Sequence, residues 1–211
     1  MTPPFRDRTD AGAQLAETLV TAGVEADVVL AIPRGGLPLG RAVADALDAP
    51  LDVAVAKKIG APGNPEYAIG AVATDGSVWR NERAIDATGA TEDYFEERRE
   101  AEAQAAREKA QRYRGDRGDP DLSGKRVVLV DDGVATGSTA RACLAQIAAA
   151  GPARVVLAVP VGPPDSITEL REQADAVVCL ETPSAFRGVA QFYGRFDQVS
   201  DEEAMAYLNR D

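Results

Sequence analysis

The strongest constraint on this chain is a rhythm. Five short apolar runs, "DVVLAI" (27–32), "LDVAVA" (51–56), "RVVLVD" (126–131), "RVVLAVP" (154–160) and "DAVVCL" (175–180), are separated by stretches of helical character. Runs this short, bounded by turn residues, read as buried strands. The intervening segments predict helices over 10–22, where Thr9 or Asp10 can cap and Leu15 and Leu19 recur at i, i+4, and over 37–47, 138–150 and 164–173. Strands that alternate with helices form a parallel sheet covered on both faces. The expected class is α/β, an open, mainly parallel, doubly wound sheet.

Two segments break the rhythm. In "YAIGAVATDGSVWR" two extended runs meet at Asp75-Gly76, a hairpin turn, and this hairpin should project from the main sheet. Residues 91–114 are rich in helix formers and charge but poor in large apolar side chains, which predicts a long, largely exposed helix. The tail from 181 holds three of the five phenylalanines and ends in a short helix at about 201–209. It is expected to cap the sheet or line a pocket. At 211 residues the chain suits one domain, 1–211, with the hairpin and helix (about 60–115) and the tail (about 181–211) as appendages.

Composition excludes several functions. A net charge of −11 repels nucleic acid. No run approaches the roughly 18 apolar residues of a membrane span, and "MTPPFRDRTD" lacks a signal-peptide core, so the expectation is a cytoplasmic protein. Cys143 and Cys179 fit no metal-ligand spacing and read as buried free thiols. The acidic, lysine-poor composition suits a salt-adapted protein. Lys57 and Lys58 are half of its four lysines, so their placement needs a reason.

In an open α/β sheet, ligands bind beyond the carboxyl ends of the strands. "PRGG", "KKIG" and "DDGVATGST" each begin where a predicted strand ends, so they should converge on one site. In the third, Gly133 and Gly137 allow tight turns, the loop leads into a helix N-terminus, and Thr136, Ser138 and Thr139 add hydroxyls. That equipment suits a phosphate. Asp131 and Asp132 have the wrong sign for phosphate, but carboxylates accept hydrogen bonds from a vicinal diol and support a divalent cation. A sugar diol beside a phosphate satisfies both halves of the loop.

"VVLVDDGVATGST" closely resembles the phosphoribosyl pyrophosphate signature of the type I phosphoribosyltransferases: an apolar run, two acids, then x-x-x-T-G-x-T. "PRGG", "KKIGAPGNPEYAIGA" and the Phe-rich tail are similar to a subgroup whose acceptor is not established, so the resemblance covers most of the chain. It implies the family fold with a small hood, formed by the tail, that selects the acceptor. It also implies that Asp131 and Asp132 bind the ribose hydroxyls and support Mg²⁺ held mainly through substrate. The loop that follows, Gly133, Val134, Ala135, Thr136, Gly137, Ser138 and Thr139, would hold the substrate, with 135–139 on the 5-phosphate. Arg34, Gly35 and Gly36 match the loop that meets pyrophosphate, where the family often has a cis peptide, and Lys58 with Lys57 would face the same group.

The implied reaction transfers phosphoribosyl to a nitrogen acceptor with loss of pyrophosphate. Stabilising the leaving group matters more there than acid–base work, which agrees with a chain that lacks histidine. The chain departs from the family twice. Ala135 stands where enzymes acting on 6-oxopurines usually have an acid, which points away from hypoxanthine and guanine. Gly133 stands where the family generally has a larger apolar residue. A homodimer is common among such folds.

The rival readings are a sensor of phosphoribosyl pyrophosphate or a nucleotide on the same fold, and a hydrolase or synthetase-like protein. "GDPDLSGKR" is not a Walker A loop, and "DDGV" lacks the D-x-D of aspartyl phosphatases. Two RGD triplets, at 114 and 117, read as loop composition.

Overall fold

The computed structural model describes residues 3–209; residues 1, 2, 210 and 211, the ends of the expected domain and hood, lie outside it. Helix α1 (Arg8–Thr21) is capped by Asp7, whose carboxylate accepts the Asp10 N–H, and not by Thr9 or Asp10. Strand β1 (Val28–Ala31) runs through a tight turn into α2 (Gly36–Ala46) and back to β2 (Leu51–Val53). That strand stops short of its predicted end, because Ala56–Ala61 is a separate strand, β3, paired antiparallel with β4 (Asn64–Ala73) through a turn at Pro62-Gly63. Gly63 adopts φ 71° there, the left-handed conformation that this turn requires. "KKIG" is therefore strand and not the loop predicted. The Asp75-Gly76 turn joins β4 to β5 (Val78–Arg80) as expected.

Helix α3 (Glu82–Thr88) has no counterpart among the predicted helices; only Ala84 and Ile85 are buried on it, too few for a visible period. Next come α4 (Glu92–Arg114), β6 (Arg126–Val130), α5 (Ser138–Ala149), β7 (Arg154–Val161), α6 (Pro164–Leu170), β8 (Ala176–Glu181), a 3-10 turn at Val189–Phe192 and α7 (Asp201–Leu208). Apart from the 3-10 turn, for which the sequence predicts no element, these lie within a few residues of their predicted bounds. Among the described residues no helix is long and apolar enough to cross a membrane.

The five rhythmic strands form one parallel sheet in the order β2-β1-β6-β7-β8. Strand alternation divides their side chains between two cores. Val29, Ala31, Val128, Val130, Val156 and Ala158 face α1, α2 and α7, whereas Val28, Leu30, Val127, Leu129, Val155 and Leu157 face α5 and α6. A fully buried leucine or valine stabilises by about 1.5–3 kcal/mol relative to exposure, so both faces must be covered. The chain leaves β1 toward β2 on one side and resumes at β6 on the other. The strand order therefore reverses between β1 and β6, where a crevice opens at their carboxyl ends.

Strands β3, β4 and β5 form a second, antiparallel sheet with its own cluster around Ile59, Ile69, Val72, Ile85 and Phe95. Helix α4 is less exposed than its sequence suggests. Ala103, Ala106, Ala110 and Tyr113 recur at spacings of three and four and are buried. Alanines give a weak hydrophobic signal yet let a helix lie close against its neighbours. At its end the buried Arg114 of the first RGD triplet pairs with Asp52 and Asp119 and donates to Val53 O, so that arginine anchors α4 to β2.

Candidate active site

Two loops meet at the crevice. The first follows β1. Its Pro33–Arg34 peptide is cis, as expected of this loop, and Gly35 and Gly36 press against the second loop. A Cβ on Gly35 would fall 2.0 Å from Asp132 Oδ2, and one on Gly36 would fall 2.8 Å from Val130 O. Both approaches are closer than any side chain permits, which is the reason for two glycines here.

The second loop leaves β6 at Asp131. The Asp131 Oδ1 accepts the Asp132 N–H at 2.8 Å, and Asp132 Oδ2 accepts from Arg8 Nε at 2.8 Å. Burial, and after it the Asp132 carboxylate, pushes Asp131 well above the usual carboxylate range. Burial also raises Asp132, with Arg8 pulling the other way. Two acids that resist ionising side by side form a site that favours a cation or hydroxyl donors. Among the described residues no group of three His, Cys, Asp or Glu converges. Two carboxylates, one of them tied to Arg8, fall short of the roughly six oxygens Mg²⁺ needs, so they fit a metal whose remaining ligands come from substrate and water.

Beyond the acids, Lys58, Asp131 and residues 133–140 line a pocket of about 210 Å³, closed on one side by Val189. Gly137 (φ 72°) is the N-cap of α5 and has no side chain to cap the helix. The first-turn N–H groups are thus left for a ligand, and their dipole favours an anion. The Thr136 and Ser138 hydroxyls lie 3.3 Å apart. Ser166 of α6 donates to Ala135 O at 2.7 Å and braces the loop from behind. Val134 anchors the loop to the core, because its side chain is buried there and its N–H donates to Val161 O. Gly133 is explained by the tail: at φ 150° a Cβ would sit 2.7 Å from Val189 Cγ1.

The structure brings Lys58, Asp131 and residues 133–139 to one pocket, while Asp132 pairs with Arg8 and Arg34 lies 3.6 Å from Asp201. Successive residues of β3 point to opposite faces, so Lys58 lines this pocket while Lys57 lies near Arg34 and Lys109.

Several residues at the site lie outside every motif. Arg8 also lies 3.8 Å over the Phe196 ring and donates to Asp197 O. Tyr193 donates to Asp132 O at 2.6 Å, and burial and the neighbouring acids push its phenol up. Lys109 donates to Pro33 O at 3.1 Å. For Lys109 alone the scarcity of lysine is a usable signal. Of the two roles expected of the tail, packing in the core is carried by Tyr193, which lies against Phe5 and Phe196, whereas the tail residue that reaches this pocket is the aliphatic Val189. Cys179 is half-buried, its thiol pushed up by burial to about 11, and Cys143 is fully buried.

The sequence profile of the phosphoribosyl transferase domain matches residues 6–195. Proteins from two Mycobacterium tuberculosis strains, each named "Putative phosphoribosyl transferase", are 44% identical over 209 residues, 98% of this chain and 46% of theirs. The chain thus spans about half the length of those relatives. The crystal structure of TT1426 from Thermus thermophilus superposes with a TM-score of 0.81 at 43% identity, covering 99% of this chain and 98% of that one. The AQ2163 protein from Aquifex aeolicus, at 15% identity and a TM-score of 0.51 over 83% of this chain and 74% of its own, shares the fold alone. On the domain match and these identities, the chain belongs to the phosphoribosyl transferase domain family.

Proposed function

We propose that this chain transfers the 5-phosphoribosyl group of phosphoribosyl pyrophosphate to a nitrogen acceptor, releasing pyrophosphate. The observation that carries the reading is the placement of Asp131 and Asp132 between two anion-suited loops, the uncapped start of α5 on one side and the Arg34 loop on the other. A ligand with a phosphate at each end and a diol between them matches that order.

In this reading the α5 N-terminus with Thr136, Ser138 and Thr139 holds the 5-phosphate, and the carboxylates orient the ribose through its hydroxyls. Arg34 and Lys57 stabilise the departing pyrophosphate, whereas Lys58, expected at that group, lines the pocket at the start of α5 and adds its charge on the 5-phosphate side. A charge pair at about 4 Å is worth about 1 kcal/mol in water and several times that where water is excluded. Local cations can therefore hold a polyanion in a protein whose net charge is −11. Mg²⁺, when bound with substrate, would supply further charge neutralisation on the leaving group. The acceptor is best sought among nucleobases other than 6-oxopurines, because Ala135 supplies no acid for proton exchange and its carbonyl is engaged by Ser166.

Replacing both acids, Asp131→Asn with Asp132→Asn, tests the assignment. Turnover should fall below detection while circular dichroism and gel-filtration behaviour stay as in the wild type. A folded double variant with unchanged activity would sink it.

A further inference from the structure

Three of the four lysines in this chain gather at one end of the sheet. Lys58 lines the phosphate pocket; Lys57, on the opposite face of β3, lies with Lys109 of α4 and with Arg34. The Lys109 ammonium is half-buried and donates to the carbonyl of Pro33, the residue bonded to Arg34. That carbonyl uses one of its three N–H donors; a lysine has no acceptor to offer and seeks anions for the rest.

The surrounding charge is unbalanced. The acids facing Lys109 are Asp201 and Asp131, and the cations are Lys57 and Arg34. Asp201 is already shared: it accepts from Tyr113 at 2.8 Å and pairs with Arg112 at 3.5 Å and with Arg34 at 3.6 Å. Asp131 lies across the crevice, hydrogen-bonded to the Asp132 N–H. Burial and the neighbouring cations depress the Lys109 pKa, the mark of an ammonium with too little counter-charge. A cluster of three cations held together at such a cost is expected where an anion completes it.

We propose that Lys109, on the long helix α4, is a pyrophosphate-binding residue that acts with Lys57 and Arg34. This rests on reading the site as one for phosphoribosyl pyrophosphate. It also explains why α4 packs so tightly, since the buried alanine stripe presses the helix close enough to bring an ammonium to the loop after β1.

Calorimetric titration of the full chain with inorganic pyrophosphate plus Mg²⁺, and separately with ribose 5-phosphate, tests the inference. The wild type should bind both. Lys109→Met should weaken pyrophosphate binding by about ten- to a hundredfold and change ribose 5-phosphate binding by less than about twofold. Lys109→Arg, which keeps the charge, should recover most of the loss. Unchanged pyrophosphate binding in Lys109→Met would overturn the proposal. So would an equal loss of both ligands, which would make Lys109 a brace for the Pro33 carbonyl and nothing more. A wild type that binds neither ligand would instead bring down the reading of the site, and the inference with it.

Discussion

Arg8 and Asp132 form a largely buried ion pair across the crevice: Nε donates to Oδ2 at 2.8 Å, and the two side chains are only 12% and 15% exposed. The pair ties the first turn of α1 to the loop after β6, two elements 124 residues apart, and the Phe196 ring covers the guanidinium. It favours the ionised form of Asp132 against the pull of burial.

Removing that guanidinium should therefore do two things. Arg8→Gln leaves a buried carboxylate short of its partner and should cost on the order of 2 kcal/mol, measured by urea unfolding. With Arg8 gone, burial acts on Asp132 unopposed by the guanidinium and its pKa rises further. If ionised Asp132 is needed to bind the diol, the acid limb of the rate–pH profile moves to higher pH. An unmoved limb would show that Arg8 serves the fold only.

Asp131 presents the opposite case. Its folded-state pKa is raised, so the folded protein holds that proton more tightly than the unfolded chain does. The contribution to stability is full below the unfolded pKa and is lost as pH rises through the folded one. Above the folded-state pKa the ionised group is a burden. Asp131→Asn should consequently raise the melting temperature at pH 7, by roughly 2–4 °C per kcal/mol of relief, while turnover disappears. The gain should shrink in a thermal-melt series as pH falls through the folded-state pKa, where the wild type is protonated too.

Gly35 tests the closeness of the two loops. Gly35→Ala places a methyl 2.0 Å from the Asp132 carboxylate oxygen, so either loop must shift. Because that carboxylate is assigned to the ribose, substrate binding should suffer more than folding. Affinity for phosphoribosyl pyrophosphate should drop by at least about tenfold, with a smaller change in unfolding free energy, about 1–3 kcal/mol.

The Ser166 hydroxyl braces the phosphate loop without touching the carboxylates. Losing its bond to Ala135 O should cost about 1 kcal/mol of loop order. Ser166→Ala is expected to raise the KM for phosphoribosyl pyrophosphate about fivefold while kcat holds. A fall in kcat alone would place the loop's influence elsewhere.

The sequence discloses most where its signals are local. Apolar runs between helical segments specify the parallel sheet, since a strand buried on both faces shows as an unbroken run. The acid pair and the Thr-Gly-Ser-Thr loop stand close together in the chain, so most of the residues that line the pocket at the start of α5 are legible directly. Arg8, Tyr193, Lys109 and Asp201 are not, because they reach the site from three separate helices and the tail through tertiary packing. The buried face of α4 is obscured for a related reason: it is mostly alanine, small enough for close approach and too weakly hydrophobic to mark a period. The strand at Lys57 and Lys58 is hidden by the glycines and prolines around it, which mark the hairpin turn following β3 and not the end of structure.

The most direct test of the proposed activity is pyrophosphate release from phosphoribosyl pyrophosphate, measured in high salt with Mg²⁺, with and without a pool of nucleobases and small amines. Release should depend on both Mg²⁺ and an acceptor, and splitting the pool then identifies that acceptor. No release from a sample shown to bind phosphoribosyl pyrophosphate would contradict the transferase claim and leave a sensor on the same fold.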